Sequence, residues 1–123
     1  MANMITKAKI KELVLIFVII FTIILLFAFV DFLLHSLRQE YAVPPRYFPN
    51  KIIYGTIYGF FIYLLVRKQN PFIKSLVFSL TVDISLQTRY FLEGYPFNFV
   101  FLFLILHFFI LFPVSWIFFK FIK

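Results

Sequence analysis

The sequence has no cysteine, three glycines and five acidic residues, set against twelve lysines and arginines. Without cysteine there are no disulfides, no thiolate metal sites and no cysteine nucleophiles. The sequence also lacks Gly-x-Ser-x-Gly, His-Glu-x-x-His, a glycine-rich phosphate loop and a dinucleotide fingerprint. The acyl-transfer, metalloprotease and nucleotide-dependent classes that carry those motifs therefore have no support. It has no internal repeat and no low-complexity linker.

What the chain has in abundance is apolar side chains. A mean hydropathy of +1.00 over 123 residues leaves no stretch for a water-soluble domain, whose core usually takes at least about 40–60 residues. One membrane domain over residues 1–123 is the expectation. The formal charge of +7 fits that reading, because Lys and Arg cluster at the ends of apolar segments, where they meet anionic headgroups. Membrane lipid is the expected partner and nucleic acid is not.

Residues 13–30 form an uncharged run preceded by Lys7, Lys9 and Lys11. The run exceeds a signal-peptide core and no small-x-small site follows it, so a retained helix is expected. Three further apolar segments give four expected transmembrane helices, at about 13–34, 51–66, 71–92 and 97–119. Asn70 before Pro71 reads as an N-cap followed by proline at the first helical position. Gly94 before Tyr95 and Pro96 reads as a helix stop. The longer connector, 36–50, holds Pro44, Pro45 and Pro49 and is expected to fold over the bundle, bringing Arg46 or Lys51 near Asp31.

With four spans, Lys7, Lys9, Lys11, Arg67, Lys68, Lys74, Lys120 and Lys123 share one side; Arg38, Arg46, Lys51 and Arg89 share the other. The positive-inside rule then puts both termini in the cytoplasm and the protein in the cell membrane. Gly55 and Gly59 stand on one face of the second helix, a small-xxx-small spacing that admits a close neighbouring helix in the bundle or in a homo-oligomer.

Charged groups near the centre of a membrane helix cost about 2.5–3.5 kcal/mol each, so they need partners or a cavity. Helices three and four form a hairpin, and Asp83 and His107, at about 13 and about 15 Å from its outer end, are expected to meet directly or through one water, while Asp31, Gln87 and Tyr54 fall in a shallower layer of roughly 5–8 Å. Ser75, Ser79, Asp83 and Gln87 recur every four residues on one face of helix three, and Asp31 and His35 are likewise four apart. The ionisable groups Asp31, His35, Lys51, Asp83, Arg89 and His107 all fall in the outer half. Two roles follow from the sequence. One is helix packing or subunit assembly, in a homo-oligomer or larger membrane complex. The other is ion or small-ligand binding and translocation, in a cavity lined by Asp83, Gln87, Tyr54, Tyr58 and His107. The alternative is a membrane-embedded hydrolase in which Asp31, His35, Asp83 and His107 hold a divalent metal.

Overall fold

A computed structural model describes residues 2–121; Lys123, counted above among the basic residues, lies outside them. The described chain is all-helical: α1 Ala2–His35, α2 Tyr47–Val66, α3 Pro71–Leu92 and α4 Phe97–Phe121, with a single 3₁₀ turn at Gln39–Tyr41. Two of these helices, over Thr6–His35 and Phe97–Phe121, are long and apolar enough to cross a membrane.

The helix ends correct the sequence reading in three places. α1 starts at Ala2 rather than near residue 13, because the lysine-bearing segment contains no glycine or proline to stop a helix. α2 starts at Tyr47 rather than at residue 51. Pro49 therefore lies in its first turn, where the missing N–H costs nothing, and the Tyr47 amide donates to the Pro44 carbonyl at 3.0 Å. α4 reaches Phe121 rather than residue 119.

The stops and starts of α3 have local causes. The Asn70 side chain accepts the Ile73 amide at 2.9 Å, and Pro71 follows it. At the other end Gly94 takes φ +102°, a conformation that costs other residues a Cβ clash. The Tyr95 amide then reaches the Tyr90 carbonyl and the Gly94 amide reaches Phe91, the paired bonds of a Schellman stop.

Short turns at 67–70 and 93–96 make α2, α3 and α4 antiparallel neighbours, and α1 packs on both α2 and α4 to close a four-helix ring. Ile16, Ile20, Ile23, Ile24 and Phe27 of α1 meet Phe78, Val82 and Leu86 of α3 and Val100, Leu111 and Phe119 of α4 in one core. Gly55 and Gly59 are what allow α2 to approach this core. A methyl group on Gly55 would stand 3.2 Å from Ile24, and one on Gly59 would stand 2.8 Å from Phe78 and 3.0 Å from Ile20. The glycine face is thus occupied inside the chain by α1 and α3.

Polar side chains of α2 and α3 are buried beside this apolar core, while large apolar side chains cover the outside. On α3, Ser75, Ser79, Asp83 and Gln87 point inward and are buried, while Phe72, Leu80, Ile84 and Phe91 are exposed. On α2, Lys51 and Thr56 are buried, while Ile53, Ile57, Phe61 and Leu65 face out. An amphipathic helix in water has the opposite arrangement.

Candidate functional site

Each helix contributes one ionisable side chain to a single buried layer: Asp31 from α1, Lys51 from α2, Asp83 from α3 and His107 from α4. His35, one turn beyond Asp31 on α1, joins them. None of the five is more than 5% exposed. The layer lies in the half of the bundle whose helix ends are joined by connectors 36–46 and 93–96.

Asp31 is the hub. Its Oδ1 lies 2.7 Å from His107 Nε2, its Oδ2 accepts from the Lys51 ammonium, and His35 Nε2 stands 3.3 Å from the same oxygen. Lys51 Nζ also donates to the Tyr47 hydroxyl at 3.0 Å and lies 3.2 Å from His107 Nε2. Aromatic faces complete its surroundings, with Tyr47 and Phe27 at 4.2 and 5.0 Å from Nζ. His35 stacks on Phe103 at 4.2 Å, and Phe27 sets its edge against His107 at 5.1 Å. Buried charges persist only when paired and hydrogen-bonded, and Asp31 meets that condition.

The rest of the layer is less complete. His35 Nδ1 lies 2.6 Å from the Tyr41 carbonyl. A carbonyl only accepts, so Nδ1 carries the proton, and in the neutral ring Nε2 turns a lone pair toward Asp31. His107 Nδ1 faces Asp83 Oδ1 at 3.7 Å, beyond a hydrogen bond. His35 Nε2, His107 Nδ1 and Asp83 Oδ1 are all buried without a hydrogen-bond partner. When both carboxylates are ionised and both imidazoles neutral, Lys51 offsets only one of two negative charges.

Several candidates lie elsewhere. Gln87 donates to the Val100 carbonyl at 2.7 Å, tying α3 to α4. Arg89 covers the Tyr54 ring at 3.7 Å and pairs with Glu93 at 3.2 Å, while Tyr54 stacks on Tyr58. The five residues expected to line one outward-open cavity are thus divided between two places. Asp83, Gln87 and His107 are buried, and the tyrosines belong to a separate group around Arg89.

Lys51 reaches Asp31 from the first turns of α2, whereas Arg46 is exposed and lines a cleft with Glu93, Gly94, Tyr95 and Pro96. The connector is held over the layer by the Tyr41 carbonyl on His35 and by the Tyr41 ring edge on Phe103 at 5.3 Å. A cleft of about 200 Å³ between that connector and α1, lined by Phe32, His35, Ser36, Ala42, Val43 and Phe48, leads to His35 from the surface.

Sequence reasoning missed Tyr47 as a member of the site. Its spacing of four from Lys51 was the available signal. The Tyr41 carbonyl had no side-chain signature at all. Comparison with protein-family models, with curated proteins and with solved structures found no match.

Proposed function

We propose that this chain is a small integral membrane protein whose four helices all cross the bilayer, with both termini in the cytoplasm. Within it, the Asp31-centred layer is a cation-binding site. The apolar outer faces of α2 and α3 support the crossing of those helices, since their polar residues are turned into the bundle. At 20 and 22 residues they reach about 30 Å at 1.5 Å per residue, the thickness of a hydrocarbon core. Membrane lipid is then the surrounding partner. Pro45→Cys is expected to react with impermeant thiol reagents from outside the cell only.

One observation carries the functional reading: Asp31 already holds a cation, the Lys51 ammonium, and two imidazoles and a second carboxylate converge on the same place. The other half of the bundle contains Ile16, Ile20, Phe78, Leu111 and Phe119 at its centre. That composition supports binding at one end over conduction through the whole. The hydrolase alternative uses the same residues but also requires an opening of substrate size, and the cleft that borders His35 is small.

The test removes the internal cation. Lys51→Met in lipid nanodiscs should melt lower than the wild type and should recover on addition of a cation from the series Na⁺, K⁺, Mg²⁺, Ca²⁺ and Zn²⁺. The wild type should respond less. A Lys51→Met protein whose melting ignores every cation in the series would overturn the reading.

A further inference from the structure

We infer that Asp31, His35 and His107 form the ligand set of a divalent transition-metal site of the zinc class, for which the Lys51 ammonium is the resident stand-in. The inference rests on the cation-binding reading above and names the cation.

The first support is convergence. One donor atom from each of Asp31, His35 and His107 lies within 4.8 Å of the others, and all three residues are buried. Ligand atoms at about 2.0–2.1 Å from a tetrahedral zinc stand about 3.3 Å apart. His35 Nε2 is 3.3 Å from Asp31 Oδ2 already, and His107 Nε2 is 2.7 Å from the other oxygen, Oδ1. The two imidazoles thus approach the carboxylate from its two oxygens, with all three donors inside the 4.8 Å that one ion spans.

The second support is the outer shell. A ligating imidazole usually has its other ring nitrogen held by a carbonyl or a carboxylate, which fixes the tautomer and aims the lone pair. His35 has such a group in hydrogen-bond contact, and for His107 the nearest one is Asp83, which faces the ring without a hydrogen bond. Tyr41 supplies the carbonyl to His35 Nδ1 at 2.6 Å, and Asp83 stands opposite His107 Nδ1 at 3.7 Å. His35 Nε2 is therefore a buried lone pair aimed at a carboxylate, with no hydrogen-bond partner. A metal ion between them satisfies both.

The third support is charge. With both carboxylates ionised, Asp31 and Asp83 carry two negative charges, which a divalent cation balances and a lysine does not. Lys51 is the fifth residue of α2, so its four-carbon arm can carry the ammonium toward the surface, as lysines near helix ends do. The exchange moves one proton: the ammonium leaves Asp31 as the metal enters along the His35 cleft, and the proton that His107 Nε2 donates to Asp31 passes to Nδ1, which faces Asp83. Tyr47, one turn before Lys51 on α2, or a water completes the coordination. Two imidazoles and one carboxylate, with no thiolate, suit zinc and its neighbours better than calcium or magnesium.

The test uses the untagged full-length chain in nanodiscs, stripped with chelator and titrated with Co²⁺ alone. The expected result is one Co²⁺ per chain with the intense visible bands of four-coordination. His35→Gln and Asp83→Asn should each weaken binding by about tenfold or more. Lys51→Met should bind roughly tenfold tighter, because the wild-type site is competent only while the ammonium is displaced. A spectrum that stays six-coordinate in both wild type and Lys51→Met overturns the inference, as do bands that survive His35→Gln unchanged. If Na⁺ or Mg²⁺ still raises the melting of Lys51→Met in that case, the metal assignment falls and the broader cation-binding reading stands.

Discussion

The two halves of this bundle solve the same packing problem with opposite materials. The half that carries the chain termini is closed by Ile16, Ile20, Phe78, Leu111 and Phe119, by the glycine approach of α2, and by a single Ser79–Ser115 hydrogen bond of 3.0 Å. Lys74, near its edge, lies against the Tyr63 and Phe119 rings at 5.4 and 5.8 Å. The other half buries two carboxylates, an ammonium and two imidazoles. A buried ion pair is often no more stable than apolar residues of the same volume. The first half demonstrates that this fold is able to close without one. Stability alone therefore does not account for the ionic layer, and that contrast is the main argument for giving it a function.

The largest effect should come from removing the hub. Asp31→Asn leaves Lys51 buried without its counter-charge and should destabilise the protein by about 3–5 kcal/mol in reversible unfolding from mixed micelles. The double change Asp31→Leu with Lys51→Met should regain most of that loss, since it removes charge and partner together. A loss below about 1 kcal/mol for Asp31→Asn would place the pair among weak surface contacts and erase the difference between the halves.

An intermediate effect is expected from crowding the apolar half. Gly59→Leu must displace Phe78 and Ile20, and overpacking of this kind costs about 1–3 kcal/mol. Gly55→Ala, whose new methyl meets only Ile24 closely, should cost less than Gly59→Ala. Wild-type melting for Gly59→Leu would mean that α2 is free to move away from the core. The smallest effect belongs to the Ser79–Ser115 bond. A double-mutant cycle with alanine should give a coupling of about 0.6 kcal/mol, the average for polar contacts between membrane helices. A coupling as large as that of the Asp31 pair would contradict the contrast.

Height along the helices was readable from sequence, and direction around them was only partly so. The spacing of Asp31 and His35, and of the α3 polar stripe, gave the inward faces, because side chains four apart share one side of a helix. Hairpin arithmetic brought Asp83 and His107 to one level, but it did not give His107 its main partner. The sequence reading has the ring meeting Asp83 directly or through one water; the two do face each other at 3.7 Å, but the ring's close bond goes to Asp31. The reason is that α1 closes the ring against α4, a contact between the chain's most distant helices that no local pattern encodes. Depths counted from expected helix ends also set Asp31 too shallow, at about 5–8 Å, to join that level. Lys51 was read from its place near the connector. Its position inside α2, with Tyr47 one turn before it, depends on where the helix starts after three prolines.

The most direct test of the central claim is the distance between Lys51 Nζ and Asp31 Cγ. It can be measured by solid-state nuclear magnetic resonance on ¹⁵N-lysine, ¹³C-aspartate protein in lipid, before and after loading with Zn²⁺. The account predicts a contact in the metal-free protein that is lost as the metal takes the carboxylate, with the His35 and His107 ring nitrogens shifting at the same time. A contact that stays intact while Zn²⁺ is bound would place the ion elsewhere. Lys51 would then be a fixed strut, and the layer a structural lock.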